Sequence, residues 1–232
     1  IGDLNTTVEA ILPDGNGGWY IAGSFTLFSG ESVSRLIHLN EDGSLDTNFQ
    51  PETINSTVSS IHLDGNDLYL GGFFTTIGGE SYNRLARMDA TTGEVDASWI
   101  PDISNGSVNS ISTAPGEVLI GGSFTVIGNS NNSRYFARLD VSSAELINGP
   151  SLNSTVNVIE GTANTVYTGG SFTVSGYYQP RLALVDAITG IPDQNFPDAN
   201  GIGSVVIDDG NGGWFIGGSF SLIEGESRNR LV

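Results

Sequence analysis

Apolar residues fall along this chain in short alternating runs separated by turn-forming residues, and no stretch carries the 3.6-residue period of an amphipathic helix. The clearest unit lies between Asn55 and Ser104. Val58 to Leu63 alternates and is rich in β-branched residues; Asp64-Gly65-Asn66-Asp67 is a turn signal leading into Leu68 to Phe74. Arg84 to Asp89 forms a third run, after which Thr91-Thr92-Gly93 turns the chain into Val95 to Trp99. The pattern predicts four short antiparallel strands, the makeup of one propeller blade.

That unit recurs. Ile21-Ala22-Gly23-Ser24-Phe25-Thr26 returns four more times with little change, so that Phe25, Phe74, Phe124, Phe172 and Phe220 stand 49, 50, 48 and 48 residues apart. A fixed period near fifty residues marks a repeat array in which each unit is one supersecondary element. Val8, Val58, Val108 and Val156 open the first strand, each three residues after Asn5, Asn55, Asn105 and Asn153. Asp46, Asp96 and Asp193 begin the closing strand, and the third copy has decayed to Leu146-Ile147-Asn148-Gly149. We read the whole chain, 1–232, as an all-β β-propeller segment with about 49 residues per four-stranded antiparallel blade. Its repeats run approximately 1–50, 51–100, 101–150, 151–198 and 199–232, the last truncated inside its third strand. The N-terminus begins too near Val8 to donate the missing strand, so the expectation is an arc of a larger propeller cut from a longer chain.

The paired glycines before Ser-Phe need a physical reason, because glycine weakens a strand interior. Close approach of a neighbouring blade is the expected one, with the following Phe filling the space between two sheets. One blade alone cannot bury that face, so stacking is obligatory.

Charge narrows the partners. The 232 residues carry 26 acidic against 8 basic side chains, net −18, and every basic residue is an arginine. Such a surface repels phosphate backbones and anionic lipid, so no nucleic-acid binding is expected. No apolar run approaches the length of a membrane helix, so direct membrane insertion is not expected either. The absence of Cys removes disulfides, Cys-ligated zinc and thiol nucleophiles.

Candidate chemistry is sparse. Asp14-Gly15-Asn16-Gly17-Gly18 and its copy Asp209-Gly210-Asn211-Gly212-Gly213 resemble fragments of calcium or phosphate loops, but Trp19 and Phe25 stand where a calcium loop needs Gly and Glu. Asn-Gly hairpin turns are the expected reading. Ser123, Ser171 and Ser219 follow glycine but lack the second glycine of a nucleophile elbow. A base would have to be His38 or His62, and the other repeats do not keep either: Arg87 and Leu184 stand at the place of His38, Ser112 at that of His62. Paired carboxylates fall mostly in turns and are read as solvated. The Asn-x-Ser/Thr strings at Asn5, Asn55, Asn105 and Asn153 match the glycosylation sequon, but their recurrence at one place points to a turn role through local backbone bonds. The irregular stretches Asn129 to Ser133 and Gly176 to Pro180 are candidate contact surfaces. No catalytic, cofactor-binding or metal-binding residue is assigned.

Arginine falls on the repeat lattice. Arg35, Arg84, Arg134, Arg181 and Arg230 recur at spacings of 49, 50, 47 and 49, just before the third strand. The expected role is structural: a two-pronged bond to the closing-strand carboxylate of Asp46, Asp96 or Asp193, with backbone carbonyls of the adjacent blade as the alternative.

Gly43-Ser44-Leu45-Asp46-Thr47-Asn48-Phe49 after Leu39-Asn40, and Ile216-Gly217-Gly218-Ser219-Phe220 followed by Arg228-Asn229-Arg230-Leu231, resemble the delta-60 repeat of bacterial surface proteins. The resemblance covers essentially the whole chain. It implies a β-propeller domain of unknown function, found in large secreted, often cell-wall-attached or adhesin-like proteins, and no catalytic residues. The expectation is a non-catalytic extracellular interaction or spacer module. Its partners would be other domains of the same larger chain or another surface protein, with glycans as a further ligand class. The alternatives are a carbohydrate-active enzyme, lyase or glycosidase, working at the axial face, and a glycan-binding module.

Overall fold

The computed structural model describes residues 2–128, 130, 133–147, 152–161, 165–173, 180–186, 193, 196, 199–208 and 213–228. They are all-β, with no helix among the described residues. The chain divides into two compact units, Ile1–Ile103 and Ser104–Val232, each treated separately below.

The first unit holds two blades. In repeat one, β1 (Val8–Pro13) and β2 (Trp19–Gly23) form a hairpin, β3 (Leu27–Phe28) and β4 (Glu31–Ser32) a small second hairpin, and β5 (Leu36–Leu39) returns to pair with β2. Repeat two follows suit with β6 (Val58–Asp64), β7 (Asp67–Gly72), β8 (Thr76–Ile77), β9 (Glu80–Ser81) and β10 (Leu85–Asp89). β6 packs across β1 and β2, so Val58, Phe74 and Ile54 of the second blade share one core with Tyr20, Ala22 and Leu36 of the first.

The second unit repeats the plan. β11 (Val108–Ala114), β12 (Glu117–Gly122), β13 (Phe136–Asp140) and β14 (Leu146–Ile147) form one sheet. β15 (Val156–Gly161), β16 (Thr165–Thr173) and β17 (Pro180–Asp186) form the next. β18 (Gly203–Asp208) and β19 (Trp214–Gly218) begin the last, with the small hairpin β20 (Leu222–Ile223) and β21 (Glu226–Ser227) behind them. β15 crosses β11 and β12, and β18 crosses β15 and β16.

The two glycines have different reasons. At Gly23, Gly72, Gly122, Gly170 and Gly218 an added Cβ would sit only 2.0 to 2.2 Å from a carbonyl of the same blade, that of Thr7, Thr57, Ser107, Thr155 or Ile202. The next residue's N–H bonds that very carbonyl, at 3.0, 2.9, 3.0, 2.8 and 2.9 Å, and the register of the first hairpin slips there in every repeat. This is a β-bulge, which lets the chain leave the second strand. The glycine before it is the one that answers to a neighbouring blade. A Cβ on Gly121 would meet Val156 Cγ1 at 2.5 Å and Ile159 Cγ2 at 3.0 Å, and one on Gly169 would meet Val158 Cγ1 of its own blade at 2.9 Å and the Gly203 carbonyl of the next at 3.1 Å. Repeat one holds Ala22 at this place.

All five repeat phenylalanines are buried, none more than 1% exposed. Phe74 lies in the core shared with the first blade, Phe172 packs with Leu119 and Phe136 of the preceding blade, and Phe220 with Leu182.

The closing run is shorter than its pattern predicts. Among the described residues it survives as single bridges, Leu39 with Leu45 and Met88 with Val95, and extends to two residue pairs at Leu146–Ile147 in the third repeat. The physical reason is the Asp of the other repeats: Asp46 Oδ1 accepts from the Asn48 N–H at 2.9 Å and Asp96 Oδ1 from the Ser98 N–H at 2.8 Å, folding the chain into a turn where pairing would have continued. The copy that lost this Asp keeps its strand.

The bulge carbonyl and the interblade phenylalanine give separate expectations. Gly72→Ala should destabilise the protein by about 1–3 kcal/mol through a forced backbone shift, and Phe74→Ala by about 3–5 kcal/mol, while Gly217→Ala, at the place Ala22 holds in repeat one, should stay within about 0.5 kcal/mol. Denaturant unfolding of the three variants separates them.

Candidate functional site

The predicted pairs of Arg35 with Asp46 and Arg84 with Asp96 do not form: those arginines bond backbone carbonyls, and the aspartates bond His38 and Arg87. Arg35, Arg84 and Arg181 adopt left-handed backbone angles, φ 49°, 68° and 76°, at the start of the third strand. Repeat three gives this place to Tyr135, φ 67°, so Arg134 falls one residue early and is exposed. The carbonyls of Arg35, Arg84 and Tyr135 accept from the bulge glycines Gly23, Gly72 and Gly122 at 2.9 to 3.0 Å. The guanidinium groups reach backbone, as in the carbonyl alternative: Arg35 Nη1 donates to Ile54 O of the next blade, and Arg181 Nη1 to Asn200 O at 2.7 Å. Arg84 Nη1 donates to Phe73 O and Phe74 O in its own blade, at 3.0 and 3.1 Å. Arg230 lies outside the described residues, as do Asn129, Asn131, Asn132 and all of 174–179.

The aspartates instead face the middle of the third strand. In repeat two, Arg87 donates from Nε to Asp96 Oδ2 at 3.0 Å, has Asp67 at 3.6 Å, and lies 5.4 Å from the Trp99 ring centroid. In repeat three, Arg138 donates from Nε to Glu117 Oε2 at 2.7 Å. Repeat one carries His38 here, with Nδ1 2.9 Å from Asp46 Oδ2 and Nε2 3.1 Å from Asp14 Oδ2, the three side chains 12 to 17% exposed. So His38 does belong to a pattern of the first three repeats, in which a His or Arg at this position bonds an acid from the first hairpin, the closing run or both, while the fourth repeat carries Leu184 there. The signal was a His or Arg three places after the αL residue in three of the four copies that include this position, obscured because His and Arg were compared as different residue types.

Around His38 the groups are packed and bonded. Tyr20 stacks on the imidazole, centroids 4.5 Å apart, and Phe49 meets both rings edge-on. Tyr20 donates its hydroxyl to the Ala90 carbonyl at 2.6 Å, and burial, with the charges of Asp14, Asp46 and Asp89, pushes its pKa up to about 12. Burial alone would raise the Asp14 carboxyl. The N–H groups of Asn16 and Gly18, at 2.7 and 2.8 Å, and His38 outweigh it and hold the carboxyl below its usual range. The Asn48 N–H, then His38, lowers Asp46 likewise. A polar recess of about 330 Å³ opens beside them, lined among others by Asn16, Asn48, Asn66 and Thr91. The corresponding place in repeat two is a recess of about 480 Å³ bounded by Asp67, Asp89, Glu94 and Asp96.

Other candidates resolve into structure. Asp14 to Gly18 is the predicted hairpin turn, with the Asp14 N–H donating to Gly18 O at 3.0 Å and positive φ at Gly15 and Gly17. Ser123 Oγ pairs with Ser107 Oγ at 2.9 Å, and Ser219 Oγ accepts from the Ile202 N–H at 3.1 Å. The asparagines do not serve local backbone. Asn5, Asn55, Asn105, Asn153 and also Asn200 reach some twenty residues onward, each Oδ1 accepting from the N–H of Thr26, Thr75, Thr125, Thr173 or Ser221 at 2.8 to 2.9 Å. Among the described residues no group of three or more His, Asp or Glu side chains is arranged to hold a metal ion; the two carboxylates at His38 sit on opposite ring nitrogens.

This chain is a β-propeller repeat protein, by its antiparallel blades and by a family model. That model, described as a domain of unknown function (DUF5122) beta-propeller, matches residues 13–49, 66–98 and 116–142, from the hairpin turn to the closing run in the first two repeats and to the end of the third strand in the third. No curated protein matches the sequence. Among solved structures it is similar to the crystal structure of Saccharomyces cerevisiae Sqt1, at 12% identity and TM-score 0.48, covering 96% of this chain and 73% of that one. It is also similar to the computationally designed Ika8 protein, at 10% identity and TM-score 0.47, covering 100% of this chain and 85% of that one.

Acid should expose the charge pairs. Asp96 is lowered to about 2, by the Ser98 hydroxyl first and then by Arg87 and the Ser98 N–H, with burial opposing. A depressed carboxylate adds stability that is complete above its unfolded pKa near about 3.9 and is lost as pH falls toward the folded value. The melting temperature should therefore drop between pH 4 and pH 2, and Asp96→Asn should flatten that drop while lowering stability at pH 7; thermal melts across this range check it.

Proposed function

We propose that this propeller is a non-catalytic interaction or spacer module of a large bacterial surface or secreted protein, as the delta-60 resemblance implies, with other domains of that chain or another surface protein as its partners. The observation that carries the reading is where the reactive groups go. Both nitrogens of His38 are held by carboxylates, its two acids are bonded in turn by backbone N–H groups, and the hydroxyls of Ser123 and Ser219 are bonded within their own blades. A glycosidase needs two carboxylates free across a cleft, and Asp14 and Asp46 are committed to one imidazole. Among the described residues polar side chains bond their own turns or the backbone of the next blade, and apolar ones pack between blades, which suits a rigid scaffold.

The recess beside His38 favours glycan binding as a second reading, because Asn16, Asn48, Asn66 and Thr91 offer neutral donors and acceptors of the kind sugar hydroxyls use. Labelling intact source cells with a membrane-impermeant reagent tests the first reading: the full-length protein should be modified without lysis, and labelling seen only after lysis overturns it. Titration with neutral oligosaccharides, followed by the Asn66→Ala variant, tests the second; saturable binding lost in the variant is its expected result.

A further inference from the structure

We infer that Asn16–Gly17, at the tip of the first hairpin, is a site of spontaneous main-chain modification, where the asparagine loses ammonia through a succinimide and becomes aspartate or isoaspartate. The chain holds five Asn-Gly pairs, at Asn16, Asn105, Asn148, Asn200 and Asn211. Glycine makes these the reactive asparagines, because no Cβ stands in the way of the attacking nitrogen. Asn148 and Asn211 lie outside the described residues, which leaves three whose surroundings can be compared.

All three are exposed, so exposure does not distinguish them. Bonding does. Asn105 and Asn200 are held at both ends of the amide: Oδ1 accepts from the Thr125 and Ser221 N–H groups at 2.8 and 2.9 Å, and Nδ2 donates to Thr125 Oγ1 and Ser221 Oγ at 2.8 and 3.1 Å. The glycines that follow them are half-buried against the bulge, where a Cβ on Gly106 would lie 2.6 Å from Phe124 N and one on Gly201 2.5 Å from Phe220 Cα. Asn16 has neither anchor. Its Nδ2 reaches only Asp14 O, at 3.5 Å, and among the described residues nothing donates to its Oδ1 and nothing accepts the Gly17 N–H. Gly17 is itself exposed, so the Asn16 side chain can swing over the nitrogen it must meet.

The reaction needs only water. The Gly17 nitrogen attacks Asn16 Cγ; the new C–N bond forms as Cγ–Nδ2 breaks, and the Gly17 amide proton leaves with Nδ2 as ammonia. Water then opens the succinimide at either carbonyl, giving aspartate or isoaspartate, and in the latter the main chain runs through Cβ and Cγ. Either product sets a further negative charge on a lining residue of the recess beside His38, in a chain already at −18. Isoaspartate does more. The Asn16 and Gly18 N–H groups hold Asp14 Oδ1 at 2.7 and 2.8 Å, and Asp14 Oδ2 faces His38 Nε2 at 3.1 Å. An extra main-chain atom between those two donors moves Gly18 away from Asp14, so the carboxylate loses its cradle and its place opposite His38.

Peptide mapping of the whole folded chain during incubation at physiological temperature and pH tests this. Trypsin cuts after Arg35, Arg87 and Arg134, so Asn16 and Asn105 fall in separate peptides, 1–35 and 88–134, each with one Asn-Gly pair, and fragmentation separates Asn200 from Asn211. Asn16 should convert roughly tenfold or more faster than Asn105 or Asn200, the factor set by the two hydrogen bonds that must break first. In urea, where those bonds are gone, the three rates should come together. Asn16→Gln should leave peptide 1–35 unmodified. The isoaspartate form, isolated by chromatography, should show the ring signals of His38 displaced and those of His62, the only other histidine, in place. An Asn16 that stays intact in the folded chain, anchored asparagines that convert as fast as Asn16, or a difference in rate that survives in urea would each overturn the proposal, and an unmoved His38 ring would overturn the consequence drawn for Asp14.

Discussion

One backbone carbonyl in each repeat, that of Thr7, Thr57, Ser107, Thr155 or Ile202, organises what surrounds it. It lies so close to the second strand that only glycine fits opposite, and it takes the N–H of the next residue in place of a regular ladder bond. The second strand ends at the glycine in four of the repeats and runs on to Thr173 in β16, and the phenylalanine two residues on is buried, against the preceding blade at Phe74, Phe172 and Phe220. The third strand begins where the same glycine's N–H finds the carbonyl of a residue held at positive φ. Side-chain identity at that αL residue is secondary, which is why Tyr135 replaces arginine in the third repeat without loss of the geometry.

Around this backbone device the polar side chains form two separate layers. The asparagines tie the start of each repeat to the end of its second strand, while Arg35 and Arg181 tie the third strand to the beginning of the repeat that follows. Nearer the hairpin turns, His38, Arg87 and Arg138 bond carboxylates of the first hairpin or the closing run. Arg87 can do this with fixed forked donors and permanent charge. His38 occupies the same place with two nitrogens and a flat face, and that face is where Tyr20 stacks.

The repeat itself, its period, the all-β class, the blade and the buried phenylalanines were legible from the residues, because strand alternation and turn glycines are local properties and recurrence makes them visible. Glycine pairs were legible as a close approach, though not as two different ones: a missing side chain reads the same whether the obstacle is the blade's own first strand or the next blade's Val156.

What tertiary structure alone decided was partnership. Arg35 and Asp46 sit on one lattice and look like a pair, yet the αL backbone at Arg35 aims its guanidinium at the next repeat, and the strand's alternation turns His38 toward the acid instead. Likewise the closing aspartates promised strands and delivered turns, since a short carboxylate bonding its own backbone competes with the ladder. Sequence spacing determines which residues recur together; which of them touch depends on the direction each side chain leaves the backbone, and that direction is set by strand register and by a single positive φ.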